Sequence, residues 1–147
     1  MTSKILVVDD EMLWERLLKL RFRKKIREGE LEFVFAHNGR EALDTLLADG
    51  QFDMVLTDLN MPEMDGFTFL EQLQEIDSHL LAVVISGDED LTSRKTAMSR
   101  GAFDFMTKPI DFHDLEVKIS KVLQHVRQMK ATMTPQQLGT EVEAEVA

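Results

Sequence analysis

The chain has 147 residues, of which 44% are hydrophobic and 30% charged, with no cysteine and a formal net charge of −10. That length fits one domain with a proper core, and the lack of cysteine excludes disulfides and thiolate metal sites while fitting a reducing compartment. No apolar stretch approaches the roughly 20 residues of a membrane span and no signal peptide precedes the first apolar run, so the expectation is a cytoplasmic protein that neither enters a membrane nor, being acidic, binds nucleic acid directly. One basic exception, Arg21, Arg23, Lys24, Lys25 and Arg27, reads as a solvated helix end whose cations favour the C-terminal dipole.

In chain order, a strand over residues 4–8 (Ile5-Leu6-Val7-Val8) runs into Asp9-Asp10. A helix follows over about 11–27, with Leu13, Trp14, Leu17, Leu18 and Phe22 at helical spacing. Glu28-Gly29-Glu30 breaks it, and Leu31–Ala36 reads as a strand. Asn38-Gly39 turns into a short helix over Glu41–Ala48, closed by Asp49-Gly50. A strand over 53–57 ends at Asp58 and passes through a turn holding Pro62 and Gly66 into a helix over 66–76. Strand 81–85 ends in Ser86-Gly87, helix 90–100 follows, strand 103–107 ends in Lys108-Pro109, and helix 112–129 completes the set. Beyond Met129 the apolar period fades into Thr/Pro/Gln and then Glu-rich sequence, read as a disordered tail. Five strand–helix units predict an α/β fold, a parallel sheet with helices on both faces. The near-continuous apolar runs Ile5–Val8 and Leu81–Ile85 suit strands buried on both sides.

In doubly wound sheets, ligands bind beyond the carboxyl ends of the strands. Asp9, Asp10, Asp58, Ser86 and Lys108 all fall at such ends, where the carboxylates are expected to be exposed. Three clustered carboxylates repel one another, and a hard divalent cation such as Mg²⁺ relieves that repulsion through oxygen ligands. Lys108 supplies a point charge and Ser86 a donor, both suited to phosphoryl oxygens. Phosphoryl transfer asks mainly for positioning and neutralised charge, and Asp58 is placed to be the nucleophile of an acyl phosphate. Taken singly, each part has a plainer reading: Asp-Asp as a helix N-cap pair, Lys-Pro as a turn, Ser86 as a cap. Their joint order at strand ends is the specific signal. His37, His79, His113 and His125 are scattered without ligand spacing, Trp14 reads as packing that could also report on the nearby site, and Asp65 reads as a helix cap.

The segments Val7-Val8-Asp9-Asp10-Glu11, Asn38-Gly39-Arg40-Glu41-Ala42-Leu43, Asp58 through Gly66, Ser86-Gly87, Gly101-Ala102-Phe103-Asp104-Phe105 and Lys108-Pro109 together resemble the receiver domain of two-component response regulators, the CheY-like family. The resemblance covers about residues 3–126 and implies a flavodoxin-like (βα)5 fold with strand order 2-1-3-4-5. The expected organisation is a receiver domain over 1–126, with 127–147 as the end of the last helix and an acidic tail or linker. The resemblance further implies that Asp58 takes a phosphoryl group from a sensor histidine kinase or phosphotransfer protein. Asp10, Asp58 and the backbone carbonyl of Asn60 would bind Mg²⁺ (or Mn²⁺), with Asp9 acting through water. Ser86 and Lys108 would contact the phosphoryl oxygens, and Phe105 would be an aromatic switch that moves inward on activation. Asp88 would modulate phosphate lifetime, and the bond before Pro109 would be cis, a form found at about 5–6% of X–Pro bonds.

The expected activity is thus phosphorelay signalling with self-catalysed phosphotransfer and autodephosphorylation, and no separate enzyme activity. No output sequence is recognised after residue 130, so output would pass through a protein partner or a phosphorylation-dependent homodimer formed through helices 90–100 and 112–129. Two other readings stay open: a receiver fragment of a larger regulator, and a metal-dependent phosphatase of small phosphorylated molecules. Against the latter, the second acid such enzymes carry two residues after the nucleophile is here Asn60.

Overall fold

A computed structural model describes residues 2–87 and 91–132. Its five strands are β1 (Ser3–Val8), β2 (Leu31–Ala36), β3 (Met54–Thr57), β4 (Leu81–Ser86) and β5 (Asp104–Thr107). Its helices are α1 (Met12–Arg21), α2 (Arg23–Arg27), α3 (Gly39–Ala48), α4 (Gly66–Ile76), α5 (Leu91–Ser99) and α6 (Phe112–Thr132). All pairings are parallel and the sheet order is β2-β1-β3-β4-β5, the flavodoxin-like arrangement expected from the sequence.

Strand alternation divides the core in two. Leu6, Val8, Val55, Ala82 and Val84 point to one face, where they meet Ala42, Leu43 and Leu46 of α3, Phe69, Leu70 and Leu73 of α4, and Ala97 of α5. Ile5, Val7, Met54, Leu56, Val83 and Ile85 point to the other, against Trp14 and Leu18 of α1 and Leu115, Ile119, Val122, Leu123 and Val126 of α6. Burial on both sides is why these strands read as continuous apolar runs rather than alternating ones.

Three expectations need correction. The helix read over 11–27 is two, because Phe22 leaves helical geometry (φ −103°, ψ 13°) while its ring is buried. The buried row here is Trp14 and Leu18 of α1, continued by Phe22 just beyond its end; Leu13 is 64% exposed and Leu17 also reaches solvent. Only this row of the segment meets the sheet, a narrower stripe than that of α6, which buries Leu115, Ile119, Val122, Leu123 and Val126. The last helix runs three residues further than read, to Thr132, since Arg127 donates to the Ser3 hydroxyl (3.3 Å) and Lys130 pairs with Asp53 (3.2 Å) at the amino end of the sheet. The tail from Met133 lies outside the described residues. Among those residues, no helix is long and apolar enough to cross a membrane.

Candidate functional site

The carboxyl ends of β1, β3, β4 and β5 deliver Asp9, Asp58, Ser86 and Lys108 to one edge. Register explains the convergence: Val8 pairs with Thr57 and Thr57 with Val84, so the residues that follow leave the sheet at nearly the same level. Backbone bonds run on past the strands, from Asp58 N–H to the Val8 carbonyl (2.9 Å) and from Lys108 N–H to the Ser86 carbonyl (2.8 Å). The Lys108–Pro109 peptide bond is cis.

The connection after Asp58 is built for close approach. Gly66 N–H donates to the Leu59 carbonyl (2.8 Å), and a Cβ on Gly66 would lie 2.6 Å from Leu59 Cα, so a side chain there would collide with backbone. Asp65 caps α4, its carboxylate accepting from Thr68 N–H (2.9 Å), in line with its reading as a cap. Glu63 adopts a left-handed φ of 65° in the turn between.

Contrary to the sequence reading, two of the three acids are not exposed. Asp9 is 7% and Asp58 8% accessible, and Asp10 alone faces solvent. Each buried carboxylate is folded back onto its own chain. Asp9 Oδ1 accepts from Glu11 N–H (2.9 Å), and Asp58 Oδ1 accepts from Leu59 N–H (2.7 Å) and, more weakly, from Asn60 N–H (3.4 Å). Their other oxygens share one cation: Lys108 Nζ lies 3.0 Å from Asp9 Oδ2 and 3.4 Å from Asp58 Oδ2. Carboxylate oxygens of Asp9, Asp10 and Asp58 lie within 4.8 Å of one another.

Burial pushes the Asp9 carboxyl above its ordinary value, aided by the Asp58 charge and opposed by Glu11 N–H and Lys108. Burial also works against the Lys108 ammonium, but the Asp9 hydrogen bond and the Asp58 and Asp9 charges outweigh it, so its pKa stands above the usual lysine value. The two shifts express one imbalance: the lysine has several anions, whereas Asp9 shares one cation with another anion. A cluster of hard oxygen donors with surplus negative charge fits a small divalent cation.

Ser86 is fully buried at the end of β4. Phe105, opposite Val84 in the register, is 5% exposed, with the Arg94 guanidinium 5.8 Å from its ring centroid. The sequence reading has Phe105 move inward on activation; in this structure it is inward already, packed in the core of the α3–α4–α5 face. Asp88 lies outside the described residues. The sequence also left unassigned a contact of Trp14, whose ring centroid is 5.6 Å from Lys108 Nζ. Its place four residues after Asp10, one helical turn from the site, was the available signal.

The family model for the response regulator receiver domain matches residues 5–120. The regulatory protein AtoC of Escherichia coli is 34% identical over 122 residues, covering 83% of this chain and 25% of that protein. The DNA-binding transcriptional regulator NtrC of Proteus hauseri is 32% identical over 128 residues, covering 87% and 26%. The chain therefore spans about a quarter of the length of these curated relatives. Among solved structures, a response regulator receiver domain protein from Clostridium thermocellum superposes with a TM-score of 0.77 at 27% identity, covering 86% of this chain and 98% of that one. A CheY-like receiver from Methanospirillum hungatei gives 0.72 at 25% identity, covering 88% and 99%.

Proposed function

The chain belongs to the response regulator receiver domain family, and from that premise we propose that it is a cytoplasmic phosphorylation switch whose phosphoacceptor is Asp58. The observation that carries the reading is Lys108 Nζ set between the Asp9 and Asp58 carboxylates, within 3.0 and 3.4 Å. An ammonium held against the acceptor oxygen is positioned to follow charge onto an incoming phosphoryl group.

In the proposed step, an Asp58 carboxylate oxygen attacks the phosphorus of a phosphohistidine on a sensor kinase or phosphotransfer protein. The new O–P bond forms as the P–N bond breaks, and the imidazole leaves with its electron pair and takes a proton. Asp58 Oδ1 keeps its backbone N–H donors from Leu59 and Asn60, which leaves Oδ2 as the attacking atom. Lys108 then transfers its contact from the carboxylate to a phosphoryl oxygen, and the Ser86 hydroxyl supplies a second donor. Asp9, Asp10 and Asp58, with the Asn60 carbonyl, would hold Mg²⁺ or Mn²⁺, which when bound supplies neutralising charge to the phosphoryl group. Autodephosphorylation would be attack by water at the same phosphorus, with Asp88 modulating its access. Output would pass from Ser86 through Phe105 and its covering Arg94 to the α5–β5–α6 face, as a local charge event biasing a packed element. That face would meet a downstream protein or a second copy of the chain.

Residues 1–126 would form the receiver unit, with 127–147 the continuation of its last helix and a tail or linker. That the chain spans a quarter of its curated relatives favours a second reading beside the first, a receiver within a longer regulator. The length of the native reading frame decides between them. The phosphoacceptor assignment is tested by labelling with radioactive acetyl phosphate in Mg²⁺. The wild type takes up one hydroxylamine-labile phosphate and Asp58→Asn takes up none; labelling of that variant at the wild-type level would overturn the assignment.

A further inference from the structure

Trp14, the chain's one tryptophan, is 7% exposed and belongs to the apolar cluster between the sheet, α1 and α6. Beside that cluster the ring meets two groups tied to the site. Lys108 Nζ lies 5.6 Å from the ring centroid, and Phe112 stacks on the ring at 5.7 Å with 28° between the planes. Phe112 opens α6, four residues after Lys108, so the indole touches both the side chain and the connection that carries it.

We infer that Trp14 is a positioning residue for phosphoryl transfer: its indole face, backed by Phe112, holds the Lys108 ammonium in place beside Asp9 and Asp58. The inference rests on the phosphoacceptor reading of Asp58 given above. An ammonium offers three N–H donors on a flexible four-carbon stem that loses rotamer freedom when fixed. Two donors are accounted for by Asp9 and Asp58. A π face on the remaining flank attracts the cation electrostatically, more strongly where water is excluded, and the Lys108 side chain is only 20% exposed. An apolar aliphatic side chain at position 14 could fill the same space without attracting the charge. When the ammonium turns to a phosphoryl oxygen, the ring limits how far it can leave the edge where Asp58 sits.

The test is a double-mutant cycle on the rate of acetyl phosphate labelling in Mg²⁺. Trp14→Leu is expected to slow labelling about three- to tenfold, the scale of a partly desolvated cation–π contact. Trp14→Phe, which keeps a π face, restores most of the rate. In a Lys108→Ala background Trp14→Leu produces no further loss. An equal fold-loss with and without Lys108, or wild-type labelling by Trp14→Leu, overturns the inference and leaves Trp14 as core packing. An independent measurement needs no change at position 14: beryllofluoride with Mg²⁺ should alter Trp14 emission in the wild type and leave it unaltered in Lys108→Ala. This arm decides where Trp14→Leu does not fold or Lys108→Ala labels too slowly to time, and a full emission change in Lys108→Ala also overturns the inference. Failure of the underlying reading is recognised separately, as labelling of Asp58→Asn.

Discussion

The two ends of the sheet carry the same residue types and put them to different use. At the amino end, Asp49 pairs with Lys4, and Asp53 takes the Lys4 backbone N–H (2.7 Å) and the Lys130 ammonium (3.2 Å). Each of these two acids has a lysine partner, and the Lys4 hydrogen bond holds Asp49 below the usual carboxylate range. At the carboxyl end, among the described residues, the buried Asp9 and Asp58 share Lys108 with Asp10 clustered beside them, and Asp9 is pushed up instead of down. A set of part-exposed, individually paired charges secures helix ends; an unbalanced, desolvated set has an unmet demand for positive charge. In the proposed reading, function follows from that surplus rather than from the presence of Asp and Lys.

Changing Asp58 breaks the comparison most completely. Asp58→Asn is expected to abolish labelling while folding near normally. The reason is not exposure, since Asp58 is buried, but that an asparagine Oδ1 can still accept the Leu59 N–H. A midpoint of thermal unfolding within a few degrees of wild type, together with zero labelling, checks it.

Lys108→Ala comes next. It leaves Asp9 and Asp58 without their cation, and a loss of about 1–3 kcal/mol is expected at neutral pH. Denaturant titration should show that loss shrinking as the acids are protonated. A variant as stable as wild type at pH 7 would mean the carboxylates do not depend on Lys108.

Asp9→Asn works in the opposite direction. The folded-state pKa of Asp9 lies above its unfolded value, so the stability it contributes is present at acid pH and lost as pH rises through the raised value. Without divalent cation, Asp9→Asn should therefore be more stable than wild type near neutral pH, by roughly 1 kcal/mol as for a typical single-site effect. That advantage should vanish below the ordinary carboxylate value of 3.8. Equal stabilisation at both pH values would point to a cause other than charge. In saturating Mg²⁺ the wild type should regain the difference.

The smallest effect belongs to the amino end. Lys130→Ala removes an ion pair with an exposed lysine and should cost about 0.5 kcal/mol or less, screened by salt, with labelling unchanged. A large change in labelling there would show that the two ends are coupled.

Much of this was readable in the sequence, because strand and helix periods are local properties of consecutive residues. The five apolar runs, the turns that end them and the placement of Asp9, Asp10, Asp58, Ser86 and Lys108 at strand ends needed no tertiary information. The parallel sheet order came from likeness to a family rather than from periodicity. What the sequence misread was burial. Asp9 and Asp58 looked exposed because they follow apolar strands, and Leu13 and Leu17 looked buried because they sit at helical spacing. Only the packed structure determined those outcomes. Whether a side chain is covered depends on elements far away in the chain: a lysine 99 residues from Asp9, and the single row of α1 that the sheet can accept. The same holds for Phe105 lying inward under Arg94 and for Trp14 beneath Lys108. Residue spacing determines which way a side chain leaves its own strand or helix, but what it meets there is set by how the elements pack.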